Sequence, residues 1–260
     1  MKAFVITLIG NKPSEDAAAN CIESAKEHGW DAEVFEATAP KHDPKKLFEN
    51  DGIEITGRLV NRPKDNRLSG GGAELGCWRS HWNLWNKCVE LDEPICILEH
   101  DAFILEPCPK ILEEGKFNCI VNIGRPHYGR FRTPKSTGLI PMTSRDGLPG
   151  THAYIINPEI KNVIRFIKDA GHIDSAIDTY MHKKRWPDMQ EWYPHLAYSA
   201  ATFSCIQGWQ KDMTNGKGNP ADLSHRTVNA LIDADTGEKI PQKQYVDEKG
   251  NLITHRNDLK

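Results

Sequence analysis

The chain opens with AFVITLIG, apolar at almost every position, and continues with SEDAAANCIESAKEHG, where small and apolar residues recur at helical spacing. The first run predicts a strand buried on both faces. The second predicts a helix entered at Ser14 as N-cap and stopped at Gly29. WDAEVFEA then alternates as a second strand, and a strand–helix–strand opening predicts a parallel sheet in an α/β fold. Residues 40–72 are rich in Pro, Lys, Asp, Asn and Gly and predict a long loop with at most a short helix. A loop of that length, ending in NRLSGGG, is a candidate lid over a site. From Ala73, AELGCWRSHWNLWNKCVEL has helical periodicity. PICILEHDAFIL, FNCIVNIG and GTHAYIINPE predict strands, and NVIRFIKDAG and SAIDTYMHKKR predict helices. After about Gly216 the chain turns polar, with turn signals in DADTGEK and DEKGN. The pattern divides into a main domain over 1–215 and a polar appendage or tail over 216–260.

One segment departs from the pattern. ICILEHDAFIL, residues 95–105, is apolar at both ends but carries Glu99, His100 and Asp101 in a row at its centre. Burying charge is costly unless something compensates it. In α/β sheets ligands bind beyond the carboxyl ends of strands, which is where this triplet falls. Residues two apart in extended chain project to one side, so Glu99 and Asp101 form a Glu-x-Asp element. Two such carboxylates suit a hard divalent cation, Mn²⁺ or Mg²⁺, bridging to a diphosphate. His100 has three readings: a third ligand, a core residue, or a hydrogen bond to a neighbouring loop.

Composition narrows the class without naming it. The formal net charge of −3 is too small to imply a nucleic-acid or membrane partner. The basic clusters RFRTPK (130–135) and HKKRW (182–186) read as solvated faces. The N-terminal apolar run is too short for a signal peptide or a membrane span, so the expected location is cytoplasmic. The seven cysteines lack CxxC spacing and read mostly as small buried thiols, with no zinc site in the spacing of His and Cys. Gly70-Gly71-Gly72 fits neither phosphate-loop register and reads as a hinge, and DADTGE lacks the spacing of a calcium loop and reads as a turn.

GAELGCWRSHWNLW followed by ICILEHDA resembles the pairing of G-E-x-G-C-x-x-S-H-x-x-x-W with I-L-E-D-D-A in glycosyltransferase family 25. That family holds lipopolysaccharide-type sugar transferases and procollagen galactosyltransferases. GTHAYIINPE, HIDSAIDTYM and, more loosely, WYPHLAYSAATFSCI continue the resemblance in order, over about residues 73–206. The resemblance implies a GT-A type fold: a Rossmann-like nucleotide-sugar-binding domain with a mostly parallel central sheet. It implies metal-dependent, inverting transfer of a hexose, galactose or glucose, from a UDP-sugar to a hydroxyl acceptor, expected to be a saccharide. Two departures stand out. His100 replaces the family's usual Asp, and the turn after the first strand, NKPSEDAAAN, holds no Arg. Two other classes therefore stay open: a nucleotide-sugar-binding protein without turnover, and a glycosyltransferase acting on hydroxylated bases in DNA.

Roles follow for the remaining residues. Ser80 and His81, one turn after Gly76 and Cys77 near a predicted helix start, suit the donor phosphates or a brace for the metal strand. Gly76 allows close backbone approach. Thr151, His152 and Tyr154 lie by the Gly-Thr-x-Ala-Tyr match, where Gly150-Thr151 turns toward the acceptor cleft, and Tyr154 reads as half core. Trp78, Trp82 and Trp85 either pack or line a sugar pocket. Asp174 and Asp178 fall at i and i+4 on a predicted helix, and one of them is the candidate general base, Asp178 first. Asp174 has the alternative of capping that helix.

Overall fold

The computed structural model describes residues 1–59, 72–126, 132–148, 151–200, 203–204 and 230–238. The first strand, β1 (Lys2–Thr7), leads into α1 (Lys12–Glu27) and back to β2 (Asp31–Glu36). Asn11, not Ser14, is the N-cap: its side chain accepts from the Ser14 N–H, which places Ser14 inside the first turn. Residues 40–59 are more ordered than the expected loop, with a 3-10 turn at Pro40–His42, α2 (Pro44–Asn50), β3 (Glu54–Ile55) and a second 3-10 turn at Gly57–Leu59. Asp43 caps α2 through the Lys46 N–H, a short-range signal easily lost among turn-forming residues. Residues 60–71, the later part of the proposed lid with Gly70 and Gly71 of the proposed hinge, lie outside the described residues.

The long helix α3 (Gly72–Leu91) feeds β4 (Ile95–Glu99), and β5 (Ala102–Ile104) follows after a turn. Next come α4 (Lys110–Glu113), β6 (Ile120–Asn122), β7 (Gly138–Pro141), β8 (Ala153–Ile156), α5 (Ile160–Ala170) and β9 (His172–Ile173). The chain continues through α6 (Ile177–Tyr180), β10 (Gln190–Tyr193), β11 (Ala197–Ser199), β12 (Phe203–Ser204) and β13 (Ala230–Leu231). The main sheet has seven strands in the order β2-β1-β4-β8-β6-β10-β7. β1 pairs in parallel with β2 and β4, and β6 with β10, while β8 runs antiparallel to both β4 and β6, and β7 to β10. The fold is α/β as expected, but the sheet is mixed rather than mostly parallel. Among the described residues between β6 and β8 there is no crossover helix of the kind that returns a strand in the parallel sense.

The central strands β1, β4, β6 and β8 are buried on both faces, which is why they read as apolar runs. Phe4, Ile6, Ile95 and Ile97 face a core shared with α3 and α5. Ala3, Val5, Cys96 and Leu98 face the opposite core, against α1. The three tryptophans of α3 are packing residues: Trp78, Trp82 and Trp85 are buried, Trp85 meets Trp78 edge-on and Trp82 at a tilt, and Trp78 Nε1 donates to the Ser175 carbonyl. The turn at 233–238 matches its expectation, with Asp233 Oδ1 accepting from the Asp235 and Thr236 N–H groups. It docks on the main domain through Asn11 Nδ2, which donates to the Asp233 and Ala234 carbonyls at 3.0 and 3.2 Å. Among the described residues no helix is long and apolar enough to cross a membrane.

Candidate functional site

The chain leaves β1 for β2 on one side, and β4 lies on the other. The crevice beyond the carboxyl ends of β1 and β4 is therefore the sheet's switch point, where open α/β sheets hold ligands. Glu99 ends β4 there, in register with Ile6 of β1, and its N–H donates to the His152 carbonyl at 2.9 Å.

Pleat alternation then separates the triplet. Glu99 has the parity of Ile95 and Ile97 and faces α3. Its Oε1 accepts from Thr151 Oγ1 at 2.7 Å and lies 3.4 Å from His81 Nε2. His100 has the parity of Cys96 and Leu98 and faces α1, where its Nδ1 meets Ser14 Oγ at 2.8 Å. Ser14 Oγ also accepts from the Leu8 N–H, so His100 is tied to the β1–α1 turn. Asp101 lies past the ladder, and its Oδ2 accepts from Ser199 Oγ of β11 at 2.6 Å. Glu99, His100 and Asp101 thus do not converge as one three-ligand set. Of the three readings of His100, the bond to a neighbouring loop is the one the geometry displays.

Among the described residues the three-ligand group that does converge is Cys77, His81 and Glu99, with ligand atoms within 4.8 Å of one another. Cys77 and His81 stand at i and i+4 on α3, a spacing present in CWRSH whose strand partner no local pattern reveals. Thiolate and imidazole make a soft set, poorly matched to Mn²⁺ or Mg²⁺. The hard oxygens that such a cation prefers are the carboxylates of Glu99 and Asp101.

Ser80 and His81 sit in the middle of α3, not near its start, so they have no free helix N–H groups to offer a phosphate. Ser80 Oγ donates to the Gly76 carbonyl and accepts from the Thr38 N–H, pinning α3 to the segment after β2. A Cβ at Gly76 would stand 2.2 Å from the Thr38 carbonyl oxygen, so the close approach that glycine permits is to the protein's own backbone. Tyr154 is fully buried; its hydroxyl meets His81 Nδ1 at 2.8 Å and accepts from Trp85 Nε1 at 2.9 Å. Burial pushes the Tyr154 phenol well above its ordinary value. Thr151 is buried with φ of +57°, a left-handed conformation that costs a β-branched residue about 1–3 kcal/mol. That strain sits at the residue that holds Glu99.

Asp174 and Asp178 do not share a helix. α6 is a single turn that includes Asp178 but not Asp174. Asp174 accepts from Ser175 Oγ and lies 3.6 Å from Arg185, whose guanidinium covers the Tyr180 ring. Asp178 lines a cavity of about 450 Å³ with Arg132, Ser144, Arg145, Gly147, Leu148 and His182. Leu148 is three peptide units from Thr151, so this cavity comes within about 11 Å of the residue that holds Glu99. One wall of it is organised by Glu191, which no sequence motif marked. This fully buried carboxylate accepts through Oε1 from the Thr143 N–H and Oγ1 and from the Ser144 N–H at 2.7–2.9 Å. Burial alone would raise its pKa, but His195 at 3.7 Å and the bonds from Ser144 and Thr143 outweigh it and hold the carboxyl at about 2.

Glu99 and Asp101 thus stand at the switch point of an α/β sheet, where such folds hold ligands. Residues 1–124 match the model of glycosyltransferase family 25 (LPS biosynthesis protein), so this part of the chain is a domain of that family and marks a glycosyltransferase. The match covers Gly76, Ser80, His81, Glu99, His100 and Asp101, and ends before Thr151, Tyr154, Asp174 and Asp178. A comparison with curated proteins gives no match.

Proposed function

We propose that this glycosyltransferase moves a hexose from a UDP-sugar to a saccharide hydroxyl, with inversion, on a GT-A type fold that takes Mn²⁺ or Mg²⁺. The observation that carries this reading is the position of Glu99 and Asp101 at the end of β4, beside β1, at the sheet's switch point. When bound there, the cation would offset charge on the departing diphosphate. Glu99 and Asp101 would hold it, Glu99 oriented by Thr151 and Asp101 by Ser199. Gly76, Ser80 and Tyr154 are buried and brace this edge from behind.

Inverting transfer needs one base to take the acceptor proton as the oxygen attacks the anomeric carbon and the bond to the diphosphate breaks. Asp178, on the neighbouring cavity, is the first candidate; Asp174 is engaged by Arg185. A saccharide acceptor is favoured over DNA because three of the described basic side chains near that cavity are paired within the chain. Arg132 and Lys183 both bind Asp146, and Arg185 pairs with Asp174.

The test is calorimetric titration of UDP into the protein with Mn²⁺, then with EDTA, for the wild type and for Glu99→Ala/Asp101→Ala. Binding that requires the metal and disappears in the double variant is expected. Absence of binding by the wild type under both conditions would refute the donor-site assignment.

A further inference from the structure

Tyr154 settles a proton that bears on Glu99. Its hydroxyl has two partners among the described residues, Trp85 Nε1 at 2.9 Å and His81 Nδ1 at 2.8 Å. An indole N–H only donates, so the phenol oxygen accepts from Trp85 and its own proton has His81 Nδ1 as acceptor. A neutral imidazole that accepts at Nδ1 carries its proton at Nε2. That nitrogen faces Glu99 Oε1 at 3.4 Å and makes no hydrogen bond to any other described residue. The ring is fully buried and stacked on Tyr154, with centroids 5.6 Å apart and planes at 25°. A buried N–H without a formed bond is costly, and the carboxylate of Glu99 is its available relief.

Two donors therefore point to one oxygen: Thr151 Oγ1, already bonded at 2.7 Å, and His81 Nε2–H, at 3.4 Å and short of bonding alignment. Together they fix the carboxyl plane and leave Oε2 for a ligand. We propose that His81 is a positioning residue, its tautomer set by the Trp85–Tyr154 pair, that orients Glu99 for the donor-bound cation without touching the donor. This rests on the reading of Glu99 as a metal ligand.

Two measurements test it. In the ¹⁵N-histidine-labelled full chain, long-range ¹H–¹⁵N spectra are expected to show His81 as the Nε2–H tautomer, and Tyr154→Phe, which keeps the aromatic ring, to admit the Nδ1–H form. An Nδ1–H tautomer in the wild type would overturn the relay. The second measurement is the Mn²⁺ concentration needed for half-maximal UDP binding. His81→Asn keeps a polar group near Nδ1 but cannot reach Glu99, and is expected to raise that concentration about 10–100-fold. His81→Gln places an amide near Nε2 and is expected to stay within a few-fold of wild type. Tyr154→Phe is expected to fall between them, and serves if the His81 variants fail to fold. Equal loss in Asn and Gln variants, or no loss in any, would overturn the positioning role. Failure of the wild type to bind UDP would remove the metal reading and with it the role of His81, while the tautomer spectrum still judges the relay independently.

Discussion

Replacing Glu191 by Gln mimics the protonated acid without changing its size, and the structure fixes what this should cost. The carboxylate is fully buried and accepts three hydrogen bonds on Oε1, two of them from backbone N–H groups. Its pKa is held at about 2 against an ordinary 4.5. A difference of about 2.5 units corresponds to roughly 3 kcal/mol of folding stability at neutral pH. Loss of charge-assisted bonds to the Thr143 and Ser144 amides, at about 1.5–3 kcal/mol each less the cost of burying the charge, gives the same order. Because the folded-state pKa is depressed, the contribution is complete above about pH 4.5 and fades as pH falls toward 2. Urea unfolding of wild type and Glu191→Gln, followed at pH 7, 5, 3.5 and 2.5, separates this group from the other carboxylates, whose acid response cancels in the difference. The gap is expected to be about 3 kcal/mol at pH 7 and to shrink steadily below pH 4.5. A gap that is the same at pH 7 and pH 2.5 would refute the reasoning. The wall formed by Thr143 and Ser144 should loosen with it, so turnover of Glu191→Gln should fall more than its stability at 25 °C alone explains.

Other outcomes follow from single contacts. Gly76→Ala places a methyl 2.2 Å from the Thr38 carbonyl oxygen, with backbone on both sides; a destabilisation of about 3 kcal/mol and a Tm lower by roughly 10 °C are expected in calorimetry. Asp178→Asn should lower kcat at least about 100-fold and Asp174→Asn less than tenfold; the reverse order would move the base to Asp174. Burial raises the thiols of Cys21, Cys88 and Cys119 to about 12 and raises Cys96 as well. The three fully buried thiols, Cys21, Cys88 and Cys96, should resist iodoacetamide at pH 8 in the native protein and react within minutes in urea, as mapped by mass spectrometry. Rapid native labelling of any of them would contradict the packing.

The opening strand–helix–strand unit, the long helix of the three tryptophans and the strand that stops at Glu99 were all legible in the chain. Each declares itself through a local rule: a double-faced apolar run, a 3.6-residue period, or charge where a buried strand must end. The family resemblance was legible for a related reason, since its two leading motifs lie on adjacent elements, α3 and β4. The direction of β8 was not, because antiparallel entry depends on how the chain returns to the sheet and not on β8's own residues. Nor was the break-up of the segment holding Asp174 and Asp178. There the Trp78 indole takes the Ser175 carbonyl and Gly57 packs on Asp174, contacts that outcompete one more turn of helix.

The site divides the same way. Spacing alone placed Glu99, His100 and Asp101 together at a strand end, and the sheet then sent each to a different neighbour: Glu99 to α3 and Thr151, His100 to Ser14, Asp101 to Ser199. Sequence thus determined which ionisable residues stand at the strand end. Only the tertiary structure decided which donors hold each one, because those donors come from helices and strands up to about a hundred residues away, and pairing at that distance is set by packing of the whole sheet.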